Sequence, residues 1–504
     1  MLSKVITAVT KGTEGKKVII ETDISNGMPG LTIVGLADTT VKEARERIRA
    51  ALLHMEKNYP LKRITVNLSP ANIRKKGSHF DLPMALGILI SSGQLAMKAV
   101  EDYGFIGELS LDGRLNRCRG ILPMVMALRK EGIRKVVVPY DNREEAVLVK
   151  GMEIYGAESI SQVYDHFHGG RKMCQVKEKT QIKTGEETIF DFREVKGQQM
   201  AKRAVTIAVA GGHGLFMMGS PAAGKTMIAE RIPGIMPDLS YDEMVQLTQL
   251  YSVAGLLDEE TPYISKRPFR KPFHRITPAG FLGGGTNPVP GEISLAHKGV
   301  LFLDELGEFD RRVIEGLRIP LEKKTVSVMR KGENYIFPAD FLLVAASNPC
   351  RCGYYGDPSG KCHCTLNEVR RYQSKISGPV LDRIDLQIHL QPVNYDTLSE
   401  EEGESSAEMK RKIEQAREVQ KERYSRCSFS TNGSLDDHSL DYYCRTDREG
   451  SMLLKEAYER LNLNPRTAGK VRRTARTIAD LEGSEQIRAE HIGEALQYRE
   501  QVKE

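Results

Sequence analysis

The chain has 504 residues, 40% of them hydrophobic and 28% charged, which is ordinary for a globular protein and long enough for two to four domains. No stretch approaches the ~20 apolar residues of a membrane-spanning helix, and the opening MLSKVITAVTKG lacks the apolar run of a signal peptide. The composition therefore argues against a membrane protein and predicts a cytoplasmic one with reduced cysteines; the net charge of +6 permits contact with phosphate backbones without demanding it, since a solvated surface would also produce it.

Residues 1–167 alternate β-like runs (KVIIETDI, ITVNL, VVVP) with amphipathic helical ones (VKEARERIRAALLHM, DLPMALGILISSG), which predicts an α+β or α/β domain. Residues 168–187 are polar, lack apolar periodicity and read as a linker. Over 188–398 a helix, VKGQQMAKRAVTIAVAGG, precedes apolar strands separated by Gly/Pro-rich loops, the layout of an α/β core with a mainly parallel sheet. Residues 399–504 begin acidic and then read as mostly helical.

The α/β core carries a phosphate-binding pattern. Gly219, Ser220, Pro221, Ala222, Ala223, Gly224, Lys225 and Thr226 fit G-x-x-x-x-G-K-[ST] between an apolar strand and a helix. Bare backbone amides of such a loop wrap phosphates, a lysine places a point charge on them, and the threonine hydroxyl suits Mg²⁺. VLFLDE, residues 300–305, is a buried strand by pattern that ends in two carboxylates. Asp304 can hold the Mg²⁺ shell and Glu305 can polarise the attacking water. A third strand, FLLVAASNP, ends at Asn348, which can touch the γ-phosphate or the water. Directly after it Cys350, Cys352, Cys362 and Cys364 form C-x-C-x₉-C-x-C in a turn-rich loop over 350–364. Four thiolates so spaced can surround a structural Zn²⁺ and leave no open position for substrate.

These strand ends, in this order, resemble the AAA+ ATPases and, within them, the magnesium-chelatase-like YifB/ComM family. The likeness rests on FREVKGQQMAKRAVTIAVAGGHGLFMMGSPAAGKT, PVPGEISLAHKGVLFLDELGEF, FLLVAASNPCRCGYYGDPSGKCHC, ISGPVLDRIDL and RRTARTIADLEG. It implies ATP and Mg²⁺ as cofactors and a homo-oligomeric ring, expected to be a hexamer. In the ring Arg383 reaches a neighbour's site as an arginine finger, and Arg466 takes the sensor-2 position on a C-terminal helical lid. Gln198 in VKGQQ corresponds to the residue near the adenine. Two departures stand out: Ala222 replaces a loop glycine of the family, and Pro465 precedes Arg466 where the family has a different run.

Residues 1–167 resemble the Lon-type peptidase fold of the ribosomal S5 domain 2-like group, most clearly in GELSLDGRLNRCRGILPMVMALRKEGIRKVVVP. The nucleophile position falls on His79, beside Ser78, and the lysine position near Leu122. A leucine accepts no proton, which predicts a non-peptidolytic domain. Two segments are candidate DNA contacts: a hairpin, TVSVMRKGENYIFP, with Arg330 and Lys331 at its tip, and the basic run KRPFRKPFHR, in which Phe269 and Phe273 could stack on bases. The resemblance implies an ATP-driven branch-migration helicase acting on single-stranded or branched DNA in recombination during transformation. A chelatase-like motor subunit and a protein-remodelling or regulatory ATPase are the alternatives.

Overall fold

The computed structural model describes residues 2–177, 190–330, 332–376, 378–392 and 403–500. These fall into two compact units. The first takes the chain up to residue 177 together with Ser240–Ser265 and Met329–Phe337; the second takes the remainder.

The first unit is built on strands β1 (Ser3–Lys11), β2 (Glu14–Ser25), β3 (Gly30–Val34), β4 (Arg63–Ser69), β5 (Tyr103–Phe105), β6 (Lys135–Pro139) and β7 (Glu153–Ala157). They form one seven-stranded sheet in the order β3-β4-β2-β1-β5-β6-β7. The β1–β2 and β2–β4 pairs are antiparallel and the others parallel. Helices α1 (Thr39–His54), α2 (Asp81–Ser91), α3 (Ile121–Lys130) and α4 (Ile160–His168) complete it. The sequence of α2, DLPMALGILIS, is apolar nearly all round, and every one of its residues is buried, as such a helix must be.

Two sequence boundaries move. The chain beyond α4 is not a free tether: Met173 is buried and Val176 N–H bonds the Ile154 carbonyl at 2.8 Å, so the unit runs past residue 167. Helix Tyr241–Ala254, read from sequence as part of the α/β core, also belongs here. Its Met244 is buried in the same cluster as Leu122 and Val125. Ser252 donates to the buried Glu145 carboxylate, which also accepts from Leu122 N–H at 2.9 Å and Asn142 Nδ2 at 3.1 Å. Apolar periodicity marks that the helix has a buried face but not which core buries it.

The second unit contains α5 (Gln199–Gly211), β8 (Leu215–Gly219), α6 (Lys225–Ile235), β9 (Phe269–Arg270), β10 (Val300–Leu303), β11 (Thr325–Arg330) up to Val328, β13 (Leu342–Ser347), β14 (Leu386–Leu390), α7 (Ser406–Arg423), α8 (Pro465–Leu481) and α9 (Ala489–Glu500), while β12 (Glu333–Pro338) belongs to the first unit as far as Phe337. Its sheet has the order β9-β10-β13-β8-β14, and every pairing is parallel. Successive residues of a strand face opposite sides, and a parallel sheet is covered on both. Leu215 and Met217 accordingly join a core with Met409, Ile413, Val471 and Ile478 of the C-terminal helices. Phe216 and Met218 join a second core with Phe281 and Ile314. The mixed α/β class, the parallel core sheet and the helical C-terminal region agree with the sequence reading.

Candidate nucleotide site

Parallel strands end on the same edge, so the loops that leave β8, β10 and β13 are neighbours. Met218 lies opposite Ser347, and Leu303 opposite Ala345. Strand β13 sits between β8 and β10, which sets the phosphate loop and the carboxylate strand about 10 Å apart at a strand spacing of ~4.8 Å. That gap suits a triphosphate and its cation, and Asn348 stands in its middle.

The loop wraps as its residue types require. A Cβ on Gly219 would stand 2.8 Å from the Leu390 carbonyl, and Gly224 has φ +91°, so both positions favour glycine. Lys225 opens α6 and is 9% exposed. Its Nζ donates to the carbonyls of Gly219 (2.7 Å) and Ser220 (2.9 Å) and to Asn348 Oδ1 (3.0 Å). Burial pulls this amine below the ordinary lysine range, while Asp304 and Glu305 pull the other way. The Thr226 hydroxyl donates to Asp304 Oδ2 at 3.1 Å, an oxygen pair of the hard type that Mg²⁺ prefers. Glu305 is exposed and has φ +52°, a left-handed conformation that turns it off the axis of β10. Gln198 shares that conformation, and its amide donates to Gln391 O at 2.7 Å and Ala223 O at 3.3 Å, beside the loop. The donor set fits a Mg²⁺-bound nucleoside triphosphate, whose phosphates the N-terminus of α6 would favour.

Ala222 adopts φ +65°, where an L side chain is strained by about 1 kcal/mol or more and glycine is not. Ala222→Gly should therefore raise stability by about 0.5–1 kcal/mol after the added freedom of the unfolded chain, a shift of about 2 °C in a thermal melt.

Two residues that bond the predicted site residues have no sequence motif. Lys271 pairs with Asp304 Oδ2 at 3.0 Å, the oxygen that also accepts from Thr226. Glu322 gathers both arginines assigned by resemblance: Arg383 Nε lies 3.0 Å from its Oε1, and Arg466 donates to the same oxygen at 2.7 Å. Arg383 also donates to Pro379 O at 2.6 Å, and the nearby, partly buried Asp385 accepts from Lys470 of α8 at 3.0 Å. The arginines are thus brought together with each other, on Glu322, and not with Lys225 or Asp304 in the bonds they make.

Most of the basic run expected to reach DNA is committed internally. Arg267 donates to the Pro237 and Lys298 carbonyls, Arg270 makes a bidentate pair with Glu292 at 2.6 Å, and the Phe269 ring stacks on Phe302. Phe273 is 66% exposed, its ring tilted against that of His274 at 4.2 Å. Arg330 is exposed at the end of β11; Lys331 lies outside the described residues. Beyond it, Glu333 pairs with Lys11 at 3.3 Å within the first unit.

The four cysteines converge. The Cys350 sulfur is 3.3 Å from Cys352 and 3.9 Å from Cys362, Cys352 is 3.7 Å from Cys362, and all four sulfurs including Cys364 lie within 4.8 Å of one another. A tetrahedron with Zn–S bonds of ~2.3 Å has sulfur–sulfur edges of about 3.8 Å. In the first unit Ser78 donates to Glu108, and His79 is buried against the Ala8 carbonyl at 3.1 Å, its imidazole pushed down by burial to about 4. Leu122 is fully buried.

Compared with known proteins, residues 191–398 match the magnesium chelatase subunit ChlI family, residues 20–142 match a second ChlI region, and residues 403–499 match the ChlI C-terminal region. The chain is 39% identical to competence protein ComM of Haemophilus influenzae over all of its own length and 98% of that protein. It is 38% identical to the uncharacterized protein YifB of Escherichia coli over 99% of this chain and 97% of that one. A shorter likeness, 29% over 98 residues, joins it to Lon protease 2 of Bacillus subtilis, covering 19% of this chain and 17% of that protein.

Proposed function

Because the chain belongs to the YifB/ComM family of magnesium-chelatase-like AAA+ ATPases, we propose that this chelatase-like ATPase motor acts on DNA, as a ring that drives branch migration during recombination. The observation that carries the reading is the meeting of Thr226 with Asp304 and of Lys225 with Asn348 at one sheet edge. Bound Mg²⁺·ATP supplies the phosphoryl group and the cation that spreads its charge. Lys225 and the loop amides hold the phosphates, Thr226 and Asp304 hold the cation shell, and Asn348 orients the water. Glu305 takes the water's proton as its oxygen bonds to the γ-phosphorus and the bond to the ADP oxygen breaks. Arg383 serves a neighbouring subunit's phosphates in the ring, and Arg466 takes the sensor-2 position on the helical lid. The four thiolates hold a structural Zn²⁺.

The DNA assignment is supported by a full-length relative named for competence and by the exposed Arg330 and Phe273. The first unit is non-peptidolytic on this reading, since Ser78 is bonded to a carboxylate and Leu122 stands where a base is needed. The test is ATPase turnover with no DNA, single-stranded DNA and four-way junctions, each also containing unfolded casein. Turnover should rise several-fold with junctions, the gain should fade steeply between about 50 and 200 mM salt, and casein should stay intact. Turnover indifferent to every DNA would remove the DNA assignment and leave the ATPase.

A further inference from the structure

The cysteine loop begins two residues after Asn348, with Cys350 fully buried, and it lies on the phosphate loop. Gly353, at φ +90°, makes the closest approach: a Cβ there would stand 2.7 Å from Pro221 Cδ and 3.9 Å from Asn348 Cγ. Nearby, the Ser220 side chain helps hold the Asp357 carboxyl below its ordinary range, after the larger effect of Ser359, whose N–H donates to Asp357 Oδ1 at 2.9 Å. Behind it, Gln373 Nε2 donates to the Pro349 carbonyl at 3.1 Å. Residues 351–364 form turns and bends with no helix or strand, and of these residues Gly353 alone is buried. Ordering such a segment costs about 1–2 kcal/mol of backbone entropy per residue, and apolar burial within it cannot offset that. One ion held by four thiolates can, because metal binding free energy becomes folding free energy.

We propose that Cys350, Cys352, Cys362 and Cys364 bind one Zn²⁺ that braces the phosphate loop, pressing Gly353 onto Pro221 and fixing Asn348 against Lys225. Nucleotide affinity then depends on zinc although no thiolate touches nucleotide; the proposal rests on the ATP-binding reading above. The thiol protons pass to solvent as the ion binds, and the saturated tetrahedron leaves the ion structural. Coupling between two binding events is reciprocal, so nucleotide must hold the zinc more tightly by the same factor as zinc holds nucleotide.

The experiment uses the full-length protein. Metal analysis should find one zinc per chain. A fluorescent ATP analogue should bind about tenfold more weakly to protein stripped of zinc, with recovery when zinc is returned, and saturating ATP should hinder zinc transfer to a chromogenic chelator. Cys362→Ser should lose both zinc and affinity. Gly353→Ala, which disturbs the contact and not a ligand, should keep zinc, and its circular dichroism, yet bind the analogue several-fold more weakly. Protein without stoichiometric zinc overturns the site. Equal nucleotide affinity with and without zinc overturns the brace and leaves the ATP reading standing. Zinc-loaded protein that binds no nucleotide overturns the ATP reading, and the brace with it.

Discussion

Lys225→Ala protein should bind ATP at least about 30-fold more weakly than the wild type while melting within about 2 °C of it. The two expectations come from the same geometry. Lys225 Nζ is desolvated and held by three oxygens, from Gly219, Ser220 and Asn348, and burial pulls its amine below the ordinary range. Removing it removes a desolvation cost along with three hydrogen bonds, so the fold loses little. The triphosphate loses its one buried counter-charge in the loop, and losing one partner of a buried charged pair costs about 2–5 kcal/mol. Isothermal titration of ATP checks the first expectation and a melt checks the second. Tight binding by the variant would place the phosphates elsewhere. Glu305→Gln is the companion: it keeps the loop, should bind ATP normally, and should stall turnover by about 10²-fold or more because the water loses its proton acceptor.

Arg383→Ala should bind ATP normally and lose about 10³-fold or more of its turnover. An arginine that stabilises the transition state contributes little to ground-state binding. Arg383 is held on Glu322 beside Arg466, and on the proposed reading it serves a subunit other than its own. Mixing tests this directly. Lys225→Ala subunits are inactive but carry an intact Arg383. In an equimolar random ring about a quarter of all positions pair an intact phosphate loop with a neighbour's Arg383, so turnover should recover to about a quarter of the wild type. No recovery beyond the sum of the separate variants, with mixed rings shown to form, would mean that the site is not shared.

Much of the α/β architecture was legible because it is written in short segments. Parallel core strands read as continuous apolar runs, and each ends where the character of the chain changes: Gly219 after LFMM, Asp304 after VLFL, Asn348 after LLVAAS. The helical C-terminal region showed itself through its period; the structure adds caps at Ser405 and Asn464. Less legible were positions whose partner lies far along the chain. The basic run around Lys271 reads as an exposed cationic surface, yet Arg270 finds Glu292 and Lys271 finds Asp304. Composition records a charge but not whether a carboxylate awaits it. Arg383 and Arg466 carry no mark of the shared Glu322, which belongs to no motif.

The amino-acid order alone therefore determines what neighbouring residues can do together: a loop that can cradle phosphate, a strand that delivers two carboxylates, four thiols close enough to share an ion, and the strand and helix periods that make an α/β core. These depend on spacings within a dozen or so residues, which the covalent chain enforces by itself. The tertiary structure decided which unit receives helix Tyr241–Ala254, that Lys271 stands at Asp304, that one carboxylate collects two arginines, and that Gly353 lies on Pro221. Such contacts follow from closing long loops and packing whole elements face to face. Their free energy belongs to the assembled core, and no local pattern records it.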